Sequence, residues 1–142
     1  MLTLAAAETI VTAALAKARA MALQPVAVVV LDARGALKCA RVEDGTSLKR
    51  AEIAIGKAHG ALALGMGTRA IHKRVEQQPY FIAAVSHVVG GSLIPVPGGV
   101  LIKDADGRVV GAIGISGDTS DNDEAAAVAG IAAAGLVADT GG

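Results

Sequence analysis

The chain has 142 residues, of which 53% are hydrophobic and 18% charged, so it can bury one sizeable core and is not a disordered segment. Thirteen Lys and Arg balance thirteen Asp and Glu, a neutrality that supplies no electrostatic footprint for nucleic acid or an acidic membrane surface. It also removes the self-repulsion that keeps copies apart, and a homo-oligomer is expected. Cys39 is the single cysteine, which excludes an internal disulfide and a cysteine metal cage and suits a reducing compartment. No apolar run reaches the roughly 20 residues of a membrane helix. The apolar start, interrupted by Glu8, Lys17 and Arg19, lacks the basic opening of an export signal, so a cytoplasmic protein is expected.

Thr3 is placed to cap a helix running to about Ala22. After Pro25, the β-branched run Val26 to Leu31 reads as a buried central strand. Asp32-Ala33-Arg34-Gly35 is turn chemistry, and Ala36 to Val42 returns as the second arm of a hairpin. Asp44 to Ser47 is expected to cap a long helix ending near Leu64. There Leu48, Ala51, Ile55, Ala58 and Leu62 have the spacing of a core-facing stripe. A second apolar line (Ile53, Gly60, Leu64) contains Lys57. Thr68 to Gln77 reads as a short polar helix stopped by Pro79. Leu93–Val96 reads as a strand, bent at Pro97-Gly98-Gly99. Two more strands, Val100–Lys103 and Arg108–Ser116, flank the tight turn Asp104-Ala105-Asp106-Gly107. Ser120 can cap an Ala-rich final helix whose first turn carries Asp121, Asp123 and Glu124, acids that suit the helix dipole. The order α-β-β-α-α-β-β-β-α has hairpins but few crossovers, which predicts one α+β domain over residues 1–142 with a largely antiparallel sheet.

Dinucleotide, phosphate-loop and zinc signatures are absent: Gly65-Met66-Gly67 follows a helix, not a strand. The three histidines and the two aromatic residues fall between positions 59 and 87. His59 borders the core-facing stripe, on the same edge as Glu52, and is read as a half-buried histidine or a ligand contact. His72 and Glu76, one turn apart on a polar segment, are read as solvated. His87 stands where a loop is expected to enter a strand. Lys57 needs a reason to interrupt an apolar line: snorkelling to solvent, a subunit interface or an anionic ligand. The three acids of the last helix are read as capping groups, with Glu124 a candidate to face a neighbouring subunit.

The block from Pro97 to Gly117 resembles the hallmark of the GlcG/HbpS-like family, which includes haem-binding proteins and the C-terminal domain of a corrinoid adenosyltransferase. Leu2-Thr3-Leu4-Ala5, the Pro25–Asp32 strand, Ile55-Gly56-Lys57-Ala58 and Asp123-Glu124 extend the resemblance over the chain. It implies a profilin-like α+β fold, with about five antiparallel strands flanked by helices, and symmetric assembly. It also implies a small-molecule partner: a metabolite or a tetrapyrrole, haem for some members. Lys57, His59, His87, Gly98, Gly99 and Glu124 form the candidate ligand-binding set. No histidine lies on the first helix, where some haem-binding members carry one. Two functions stay open. One is an accessory protein that holds a small ligand. The other is a cofactor-independent isomerase, lyase or dehydratase, with Lys57 binding an anion and His59 or His87 moving a proton.

Overall fold

Thr3 begins the first helix as expected: its hydroxyl accepts the Ala6 N–H, and helix α1 runs over Leu4–Ala20. The computed structural model describes residues 1–142 and adds strands β1 (Ala27–Asp32), β2 (Leu37–Val42), β3 (Gly99–Lys103), β4 (Val109–Ser116) and β5 (Val137–Asp139). The remaining helices are α2 (Arg50–Leu64), α3 (Thr68–Gln77), α4 (Pro79–Val88) and α5 (Ser120–Ala133). The strands form one antiparallel sheet in the order β2-β1-β4-β3-β5. The fold is α+β with five strands and five helices, the class expected from the sequence.

β1 is buried from Ala27 to Leu31 because both faces of the sheet are covered, which explains its unbroken apolar run. α1 and α5 pack Ile10, Val11 and Ile131 on the face formed by Val28, Val30, Val100, Ile113 and Ile115. On the other face, α2 lays Ala54, Ala58 and Ala61 on Val29, Leu31, Leu101 and Ala112.

This contact corrects the core stripe expected for α2. Leu48 precedes the helix and is 89% exposed, and Ile55 and Leu62 sit only on the flank of the packed face. Close approach decides it: a Cβ on Gly114 of β4 would stand 1.9 Å from the Ala54 carbonyl oxygen. A helix axis so near the sheet admits Ala and Gly and displaces the larger residues sideways. The cap is also different, since α2 starts at Arg50 with Lys49 as a cap that makes no side-chain bond.

Two further elements depart from expectation. Pro79 does end the helix over Thr68–Gln77 as expected, but it also opens the unexpected α4, in whose first turn a missing N–H costs nothing. His87 consequently lies in the last turn of a helix. Leu93–Val96 is not a strand: Leu93 and Ile94 lie over Gly60 and Gly56 of α2, and the Ile94 N–H bonds to the Gly56 carbonyl. Its apolar pattern serves burial against a helix instead of a sheet. The fifth strand is β5, after the last helix, paired with β3.

Candidate functional site

The Gly98-Gly99 pair exists because Lys57 passes beside it. A Cβ on Gly99 would stand 2.4 Å from the Lys57 carbonyl oxygen, and one on Gly98 would stand 2.8 Å from Lys57 Nζ. Gly98 also has φ +118°, a conformation that side chains rarely adopt. Thr68, at the start of α3, closes the arrangement: its buried hydroxyl accepts the Gly99 N–H at 2.8 Å and donates to the Gly99 carbonyl at 3.2 Å.

Lys57 itself is only 3% exposed and ends inside the chain. Its ammonium donates to the Ile115 carbonyl at 2.9 Å and to Asp123 Oδ2 at 3.2 Å. Asp123, 1% exposed, accepts the Asp118 N–H on its other oxygen at 3.0 Å. The pair ties α2 to β4 and to the first turn of α5. Burial pulls the lysine below its ordinary range and pushes the aspartate above its own, each opposed by the partner's charge. Neither group is left unsatisfied.

Beyond Gly98 the surface opens into a cleft of about 470 Å³ between α3, the Val96-Pro97 segment and the start of α5. α3 supplies Arg69, His72, Lys73 and Glu76, and the α5 end supplies Thr119, Ser120 and Asp121. Arg69 Nε lies 3.1 Å from Glu124 Oε2, and its guanidinium also pairs with Asp121. These two acids, Glu124 foremost, hold the guanidinium further above its ordinary value. His72 places Nε2 at 3.0 Å from Glu76 and Nδ1 at 3.3 Å from the Pro95 carbonyl.

Lys57, Gly98 and Gly99 therefore meet at one point, and Glu124 reaches the cleft wall through Arg69. Glu124 does not meet the Lys57 of its own chain; the acid that does is Asp123. His59 points elsewhere, its Nδ1 at 2.8 Å from the Ser92 carbonyl, and Glu52 pairs with Lys49. His87 is exposed on α4. Lys57 is buried against Asp123 and, like the two histidines, does not line this cleft, so the expected pairing of Lys57 with a proton-moving histidine does not form within one chain. Thr68, Arg69 and Lys73 escaped the sequence reading because a polar ten-residue helix looks solvated throughout. No group of three potential metal ligands converges. No helix is long and apolar enough to cross a membrane.

Residues 2–132 match the family described as haem degrading protein HbpS-like. Among solved structures, the chain is similar to that of a PduOC:heme complex, with a TM-score of 0.85, 28% identity and 96% of each chain covered. It is also similar to HbpS, with a TM-score of 0.81, 31% identity and coverage of 93% of this chain and 89% of that one. Klebsiella pneumoniae protein ORFY gives a TM-score of 0.81 at 26% identity, covering 94% and 90%. A search of curated proteins finds no match. With nearly the whole chain matched by one family, and its fold shared with those structures, the protein belongs to the HbpS-like family.

Proposed function

We propose that the protein is a small-ligand-binding member of the HbpS-like family, which holds a small polar carboxylate in the cleft beside α3. The observation that supports this is the cleft's lining. Lys73, exposed and without an acidic partner, offers a charge to a carboxylate, in a cleft that also holds Ser120 and Asp121, whose N–H groups open α5 and are not taken by the Thr119 cap. Glu76 and Asp121, on the same walls, can accept from a hydroxyl or amino group of the ligand. A hydroxy or amino carboxylate matches both.

Haem is the tetrapyrrole that the family description and the PduOC complex bring into question. A single chain does not frame it. The cleft is polar except at Val96 and Pro97, and the apolar recess lined by Leu64, Met66, Ile71 and Phe81 measures only about 130 Å³. His72 has both ring nitrogens engaged. His59 has Nδ1 directed at a carbonyl, which keeps the proton there and leaves Nε2 as the available nitrogen, and His87 is solvated. Haem binding to the isolated chain is therefore expected to be weak and to depend on these two histidines.

Thermal shift against a panel of small hydroxy and amino carboxylates, with haem included, tests the reading on the wild type and on Lys73→Met. Stabilisation by a carboxylate that falls in the variant supports it; no response to any acid contradicts it. For haem, a tight Soret shift that persists in the His59→Ala, His87→Ala double variant contradicts the assignment of those histidines.

A further inference from the structure

At the far end of the sheet, both hairpins carry a β-bulge, and both bulges serve one cleft. In the β1–β2 hairpin the pairing steps from Val30↔Cys39 to Leu31↔Leu37, leaving Lys38 as the extra residue. In the β3–β4 hairpin it steps from Ile102↔Gly111 to Lys103↔Val109, leaving Val110 as the extra residue. A bulge turns a side chain out of the regular alternation, a device found next to binding sites. Lys38 and Val110 both line a cleft of about 640 Å³ between the two turns, a volume within the range that small-molecule sites occupy.

The chemistry of this cleft is amphipathic. Met1 and Val109 supply its exposed apolar surface, over a floor formed by the largely buried Leu2 and Val110. Its two carboxylates are already committed to their own turns. Asp32 accepts the Arg34 and Ala36 N–H groups and binds the Arg34 guanidinium, which holds its carboxyl below the usual range. Asp104 accepts the Asp106 and Arg108 N–H groups. With Arg34 held by Asp32, the side-chain cations left without an acid are Lys38, half-buried, and Arg108.

We propose that this cleft is a second binding site, separate from the one beside α3, for an anion with an apolar body such as a medium-chain carboxylate. The apolar part lies on Met1 and Val109, over Leu2 and Val110, and Lys38 and Arg108 take the carboxylate. This cleft shares no residue with the one beside α3, so either can bind without the other.

Decanoate and decanol are the probes, titrated into the whole protein by calorimetry with amide chemical-shift mapping. Decanoate is expected to shift Leu2, Lys38, Val109 and Val110 and to leave Lys73 and Ser120 unmoved. The Lys38→Met, Arg108→Gln double variant should bind it at least about tenfold more weakly, the loss of a charge-assisted hydrogen bond, while its response to decanol stays that of the wild type. Lys38→Arg with Arg108→Lys keeps both charges and should retain binding, which separates loss of charge from loss of fold. Decanoate binding that is equal in the neutral variant, shifts that map elsewhere, or no binding at millimolar decanoate would overturn the proposal.

Discussion

The Lys57–Asp123 pair decides how the signature residues are to be understood. A buried ion pair is weak evidence of stability, because desolvation takes back much of the attraction; removing one partner is another matter. Lys57→Met keeps the aliphatic stem but strands the Asp123 carboxylate among α2, β4 and α5. It should lower unfolding free energy by about 3 kcal/mol, at the low end for a broken buried pair. Lys57→Met with Asp123→Asn removes both charges and keeps an acceptor for the Asp118 N–H, so it should recover part of that loss. Urea denaturation of the three proteins measures both effects, and a single variant as stable as the wild type contradicts the account. The sequence marked Lys57 as anomalous, because an ammonium on an apolar line needs a partner. It could not mark Asp123, because three acids in one helical turn all satisfy the dipole equally. What distinguishes Asp123 is its distance in space from a residue 66 positions away.

At the level of elements, periodicity was informative where one element covers one face and misleading where contacts were unusually close. β1 and the two hairpins were legible from β-branched runs and turn chemistry. The packed face of α2 was not, since small residues carry little hydrophobic signal and yet are all that Gly114 leaves room for. Leu93–Val96 is apolar for burial on the α2 glycines, which a linear pattern cannot tell from a strand. β5 has only three residues and leans on a side-chain contact, Lys103 Nζ to Asp139 Oδ2 at 2.6 Å. The hydrogen bond from Lys103 is the main reason the Asp139 carboxyl sits below its usual 3.8. A carboxyl whose folded pKa is depressed adds stability above the unfolded value and loses it as pH falls through the lower folded one. Partial exposure keeps the contribution modest. Asp139→Asn should therefore cost a little stability at about pH 6 and less at about pH 2, as protonation of the wild-type carboxyl through its lowered folded pKa removes the contribution. Denaturation midpoints at the two pH values test this, and a difference that persists unchanged at the acid end contradicts it.

On the scale of the whole molecule, neutrality and apolar exposure go together. Leu48 is 89% and Val88 83% exposed, and Tyr80, Ala84 and Val88 fall on one side of α4. We propose that copies of the chain associate through such surface, and sedimentation at micromolar concentration should show a species heavier than 14.0 kDa; a monomer would count against it. The fold and family were legible in the sequence because the Gly98-Gly99 block is forced by packing around Lys57. The cleft was not, because its residues come from a polar helix, a loop and a helix start that only the fold brings together. We propose that the cleft beside α3 takes a small carboxylate. The most direct measurement is amide chemical-shift mapping during titration with the hydroxy or amino carboxylate that stabilises the protein most. Saturable shifts are expected at Arg69, His72, Lys73, Thr119 and Ser120, weakened by Lys73→Met. Shifts that centre on another surface, or that are unchanged in the Lys73→Met protein, would contradict it.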